Sequence, residues 1–203
     1  MENRLKILFE NENYLVIEKS AGITVNKSDT TSKEITLQDL VEKENKIGKS
    51  DTDEDFRKRS GIVHRLDKET SGLLIIAKNA FVFNALQAQF KERKVSKSYV
   101  ALVHGEIKPK TGDINVPIGR LPWNRKRFGV LAGGREAVTS YKVLSVFGSQ
   151  LSDKSSSVVG LSDQTNGKQI NQNPKTETRK PITEYYSFVR LFPKTGRTHQ
   201  IRV

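Results

Sequence analysis

Asp67 stands in the run Gly61-Ile62-Val63-His64-Arg65-Leu66-Asp67-Lys68-Glu69-Thr70-Ser71-Gly72, among the cations Arg65 and Lys68 and beside His64, just ahead of the apolar stretch GLLIIAK. Neighbouring positive charge keeps a carboxylate ionised. An ionised carboxylate fixed beside a sheet can serve as a nucleophile or a base. The same spacing also suits an ordinary loop ion pair, which perturbs titration without doing chemistry. Both readings stand at this level.

Other chemistries are excluded by composition and spacing. The chain has no cysteine, which removes disulfide scaffolds, cysteine-ligated metal sites and thiol nucleophiles. It has no GxxxxGK[ST], GxGxxG or HExxH motif, and His64, His104 and His199 are scattered, so no metal site is expected. Ser71 lies in Thr-Ser-Gly, not in a GxSxG elbow.

Charge adds a second clue. The net charge is +12, and residues 57–142 carry 18 basic against 6 acidic residues, while residues 1–56 carry 8 against 13. A basic middle is the footprint of a nucleic-acid binder, or else a solvated surface. Trp123-Asn124-Arg125-Lys126-Arg127-Phe128 interleaves aromatics with cations. That composition suits RNA backbone and exposed bases, or a basic hairpin arm whose aromatics enter the core.

These residues need elements to hold them. At 203 residues the length suits one domain. Strands are expected at Ile7–Phe9 and Tyr14–Ile17 around an Asn11-Glu12-Asn13 turn, at Gly72–Lys78 (buried on both faces), at Tyr99–Val103, and over 113–121 and 137–147. Gly133-Gly134 suggests a hairpin between 128–132 and 135–146. Helical periodicity covers 35–47, and a helix capped by Asn79 buries Phe83, Leu86 and Phe90; residues 48–60 read as a polar loop. Residues 149–181 hold no aromatic and read as a disordered insertion, with strand pattern resuming at Glu184–Phe192. A helix begun near Thr198 would have about two turns, which suggests a fragment. No signal peptide pattern or membrane-length apolar run is present, so a soluble cytoplasmic protein is expected.

Four blocks, in order, resemble the RluA-type family of RNA pseudouridine synthases. They are Glu12–Gly22, the Gly61–Asn79 run, Gln89–Lys91 with Lys97-Ser98-Tyr99-Val100-Ala101, and Lys194-Thr195-Gly196-Arg197-Thr198-His199-Gln200-Ile201-Arg202-Val203. Glu18 and Ser20 replace the commoner Asn and Pro around Lys19. Members of the family continue past the last block, and many carry an N-terminal S4-type domain, for which this chain starts too close to the catalytic region.

The resemblance implies an α+β fold, a mixed, mostly antiparallel sheet with flanking helices, as a single catalytic domain over 1–203. It implies isomerisation of uridine to pseudouridine in ribosomal or transfer RNA by a monomer, without cofactor or metal, on a flipped-out base. Asp67 would be the essential carboxylate and Arg202 its partner. Tyr99 and Ile201 would hold the two faces of the uracil. Arg65 would enter the vacated stack, and Lys97 and Arg197 would contact the substrate. A non-catalytic RNA-binding protein or an inactive fragment on the same fold is the alternative.

Overall fold

The computed structural model describes residues 4–28, 34–44, 47, 52–151 and 182–203. They form two compact units, one ending at Ser96 and one starting at Lys97. All strand pairings among the described residues are antiparallel.

In the first unit the Asn11 side chain makes the opening turn. Its Oδ1 accepts from the N–H groups of Asn13 and Tyr14, both at 2.9 Å, an Asx turn. It joins β1 (Lys6–Glu10) to β2 (Tyr14–Lys19), which pairs with β3 (Gly72–Ala77) in the order β1-β2-β3. Strand period two turns Leu15, Ile17 and Lys19 of β2 inward. β3 was expected to be buried on both faces, but it lies at a sheet edge. Leu74 and Ile76 are buried while Leu73, on the opposite face, is 58% exposed.

The helices are short and locally capped. α1 (Leu37–Lys43) starts from a capping box in which Thr36 and Asp39 bond each other's backbone N–H. It is shorter than the 35–47 expected. α2 (Glu54–Lys58) replaces part of the polar loop expected over 48–60; Asp53 caps it, and Glu54 and Asp55 precede Arg57 and Lys58, the charge order that favours the helix dipole. α3 (Ala80–Lys91) is capped by Asn79, whose side chain accepts from Val82 N–H at 2.9 Å. Phe56 of α2 meets Phe83 of α3 edge to face at 5.7 Å, with Val63 and Ala77 completing the cluster and Leu86 and Phe90 flanking it. Gly61 enters this core at φ +70, and its carbonyl accepts from Ala77 N–H at 2.9 Å. A Cβ there would lie 2.1 Å from the Ala77 carbonyl oxygen.

The second unit is a five-stranded sheet of β4 (Tyr99–His104), β5 (Thr111–Arg120), β6 (Phe128–Val130), β7 (Arg135–Leu151) and β8 (Ile182–Pro193), ordered β4-β8-β7-β5-β6. The hairpin expected across Gly133-Gly134 is not formed, because β5 lies between β6 and β7. β6 folds back onto β5 through residues 121–127, and the chain then crosses β5 at Gly134, where a Cβ would sit 2.7 Å from the Ile118 carbonyl carbon. The insertion boundary also shifts, since Ser149, Gln150 and Leu151 pair with Glu184, Thr183 and Ile182. Residues 152–181 lie outside the described residues. One face of the sheet packs Val143, Val189 and Leu191 into a buried cluster. At the corner after β4, buried Ser187 donates to the Gly105 carbonyl (2.8 Å) and accepts from Ile107 N–H (3.0 Å).

Two predictions follow from this architecture. Gly61→Ala meets both a positive φ and the Ala77 carbonyl; it should lower the unfolding free energy by at least roughly 1–3 kcal/mol, the cost of backbone strain alone, as read by urea denaturation. The capping box predicts the acid limb. Hydrogen bonds from the Thr36 side chain and backbone, with Lys27 adding its charge, lower the Asp39 carboxyl to about 2. A carboxyl lowered on folding stabilises above its unfolded value near 4 and loses that contribution as pH falls toward 2. Thr36→Ala should therefore shrink the difference in thermal midpoint between pH 5 and pH 2.

Candidate active site

The Asp67 segment in the first unit is irregular, yet bonded along its length. His64 Nε2 accepts from Ile75 N–H on β3 at 3.2 Å, and its ring stacks on Phe90 at 4.6 Å. Leu66 is buried and Arg65 exposed. Asp67 is half-buried, and its carbonyl accepts from Thr70 N–H at 3.1 Å, closing a turn. Of the cations that sequence placed around Asp67, Lys68 turns to Glu34 at 2.9 Å, and His64 serves the β3 backbone.

A cation whose charge couples to Glu69 and Asp67 is Lys19, which sequence reasoning did not single out. Its side chain is 1% exposed at the inward end of β2. Nζ donates to the carbonyls of Ser20 (2.9 Å), Ile23 (2.8 Å) and Lys68 (2.9 Å). Burial pushes the Lys19 ammonium below its ordinary value, and the charges of Glu69 and Asp67 pull it back up. The available signal was the period of β2, in which Leu15, Ile17 and Lys19 share one face.

In the second unit the Lys194–Val203 block forms a turn pinned to β7. Gln200 uses its whole amide. Its Oε1 accepts from Thr195 Oγ1 and Arg197 N–H, both at 2.8 Å, and its Nε2 donates to Val138 O (3.1 Å) and Thr139 Oγ1 (2.9 Å). Thr195 Oγ1 also accepts from Val138 N–H at 2.9 Å. Arg197 Nε donates to the Glu136 carbonyl at 2.7 Å, so at least one of its donors holds the turn itself. His199 adopts φ +56 and meets Phe128 edge to face at 5.3 Å. The expected short helix is a run of turns, in which Arg202 N–H donates to His199 O at 2.9 Å.

This turn brings Ile201 against the cluster that Tyr99 also packs on, formed by Val143, Val189 and Leu191. Lys97 reaches toward the same turn, with its Nζ 3.8 Å from where a Gly196 Cβ would be. Arg202 is exposed at its end. Asp67 and Arg65 thus belong to the first unit, and Lys97, Tyr99, Arg197, Ile201 and Arg202 to the second. Trp123 is 76% exposed, which removes it from the core. Among the described residues no three acidic or histidine side chains form a metal-binding group.

Antiparallel sheets with short helices define an α+β protein. The profile of the RNA pseudouridylate synthase family matches residues 13–203, and the chain belongs to that family. It is 41% identical over 143 residues to an uncharacterized RNA pseudouridine synthase of Aquifex aeolicus, covering 69% of this chain and 43% of that one. It is 33% identical over 200 residues to ribosomal large subunit pseudouridine synthase D of Borreliella burgdorferi, covering 98% and 50%. The chain thus spans about half the length of the curated relatives it matches. The solved structure of human RNA pseudouridylate synthase domain containing 1 superposes with a TM-score of 0.63 at 24% identity, over 99% of this chain and 64% of that one. That likeness concerns the fold.

The buried lysine yields a prediction. Lys19→Met keeps the apolar stem but leaves three carbonyls and the carboxylates of Glu69 and Asp67 without the ammonium. Leaving a buried hydrogen-bond acceptor unsatisfied costs about 1–3 kcal/mol. The variant should melt well below the parent, and Lys19→Arg, whose planar fork does not match three convergent carbonyls, should not restore the midpoint.

Proposed function

We propose that this protein isomerises uridine to pseudouridine in RNA, with both units forming one catalytic domain. The observation that carries the reading is the family match running through both units. In this reading Asp67 is the catalytic carboxylate, acting on the sugar or its proton. Arg202 pairs with it and orients it, as a guanidinium fork does for a carboxylate. Tyr99 and Ile201 hold the two faces of the uracil, an arrangement supported by their packing on one cluster. A planar base between an aromatic and an aliphatic plate is gripped yet can turn. Arg65, exposed at the loop, replaces the flipped base in the stack. Lys97 contacts phosphate, and Arg197 contacts the substrate while its Nε holds the turn through the Glu136 carbonyl.

The reaction needs no cofactor in this reading, because the glycosidic bond broken and the C5–C1′ bond formed lie within one nucleotide. Relatives named for the ribosomal large subunit support ribosomal RNA as the substrate class, ahead of transfer RNA. No helix among the described residues is long and apolar enough to cross a membrane. We place the protein in the cytoplasm, acting as a monomer. A non-catalytic RNA binder on this fold would need neither Asp67 nor its ammonium.

The test is tritium release from RNA labelled at uridine C5. Asp67→Asn should abolish release while RNA affinity stays within about threefold, since affinity rests chiefly on cationic contacts to phosphate. Tyr99→Phe should keep binding and sharply reduce release. Full release from Asp67→Asn would overturn the catalytic reading and leave the binding module.

A further inference from the structure

The loop between β5 and β6 is a rigid platform that presents one aromatic side chain. Leu121 N–H donates to Arg127 O at 3.0 Å, Asn124 N–H to Leu121 O at 3.2 Å, and Arg127 N–H to Asn124 O at 2.9 Å, so consecutive turns fold the loop on itself. Asn124 Oδ1 accepts from Lys126 N–H at 3.2 Å. Arg120 braces it from below: its guanidinium lies 4.9 Å over the Phe128 ring and donates to the Arg125 carbonyl. Trp123, 76% exposed, stands among the exposed cations Arg125, Lys126 and Arg127.

An indole held this far into water loses apolar burial, and tryptophan is enriched at recognition interfaces, where an apolar ring meets a wet surface. The loop's own charged residues, Arg125, Lys126 and Arg127, are all positive, which favours a polyanion over an apolar protein surface. A polyanion offering planar groups is a nucleic acid whose bases are unpaired, because a base inside a duplex shows no free face. The root of the loop also touches the base-holding turn, since Phe128 meets His199 edge to face, two residues before Ile201.

We propose that Trp123 stacks on an unpaired base of the RNA, flanking the nucleotide held near Tyr99 and Ile201, while Arg125, Lys126 and Arg127 bind the phosphates around it. The inference rests on the RNA-modifying reading for the identity of its partner. It adds a preference for single-stranded over paired flanks, set by a residue outside the reaction.

Trp123 is the only tryptophan of the chain, so its fluorescence reports the contact directly. The experiment titrates the full chain, Trp123→Phe and Trp123→Ala with single-stranded oligouridylate, with a duplex RNA of equal length, and with inorganic polyphosphate, reading tryptophan emission in the parent and affinity by filter binding in all three. Tritium release is measured in parallel on bulk RNA. The single strand should quench the emission, and the duplex and polyphosphate should do so much less at equal occupancy. Trp123→Ala should weaken single-strand binding roughly five- to hundredfold, the range for loss of one base–aromatic stack. Trp123→Phe should recover part of it, and duplex affinity should hardly change. Unchanged emission on saturation, equal quenching by polyphosphate, or unchanged affinity in Trp123→Ala would each overturn the stacking proposal, even with isomerisation intact. Quenching and loss of affinity without any tritium release would support the stacking contact and overturn the catalytic reading instead.

Discussion

A single buried ammonium organises the first unit. Lys19 sits where an apolar residue would complete the inward face of β2, and an unpaired charge there would cost several kcal/mol. The structure meets that cost with three carbonyls, two from the segment directly after β2 and one from Lys68. Each bond fixes backbone that has no regular secondary structure. Gly22 N–H adds a fourth tie, donating to the same Lys68 carbonyl at 2.8 Å. The segment around Asp67 is thus tied by polar bonds to the end of β2, and β3 beside it adds the His64 contact, the Ile62 bridge and the Ala77–Gly61 bond.

The second unit solves a similar problem with a neutral group. Residues after β8 leave the sheet and must return to it, which exposes backbone polar atoms of β7 at its inner edge. Gln200 offers two acceptor sites and two donors on one planar amide, and all four are used across the turn and β7. A charged side chain there would have carried a desolvation cost that the amide avoids. In consequence Ile201 is placed by hydrogen bonds made by its neighbour as much as by its own packing.

Much of this was legible in sequence, and the failures have physical causes. The β1–β2 turn, α3 with its Asn79 cap and β4 were readable because side-chain chemistry and hydrophobic period agree there. α2 was missed because it buries only Phe56; its signal lies in Asp53 and the acidic-to-basic order, not in periodicity. The Gly133-Gly134 hairpin failed because a glycine pair reports a permissive backbone and not the partner strand; Gly134 is required for its close approach to Ile118 across β5. Charge counting around Asp67 pointed to Lys68, which is adjacent in sequence, because pairing with Glu34 is a tertiary fact. Lys19 is 48 residues away from Asp67 in the chain, and only the alternation along β2 hinted that it faces inward.

The way Lys19 is held bears on what Asp67 can do. An ammonium has three protons, and those of Lys19 go to Ser20, Ile23 and Lys68 carbonyls. Its influence on Asp67 is consequently that of a nearby charge and not of a hydrogen-bond donor. Its charge reaches the carboxylate through space, while its protons stay on the backbone. This division also explains why a lysine is suited to this position: a compact ammonium at the centre of three carbonyls satisfies all of them with its three protons.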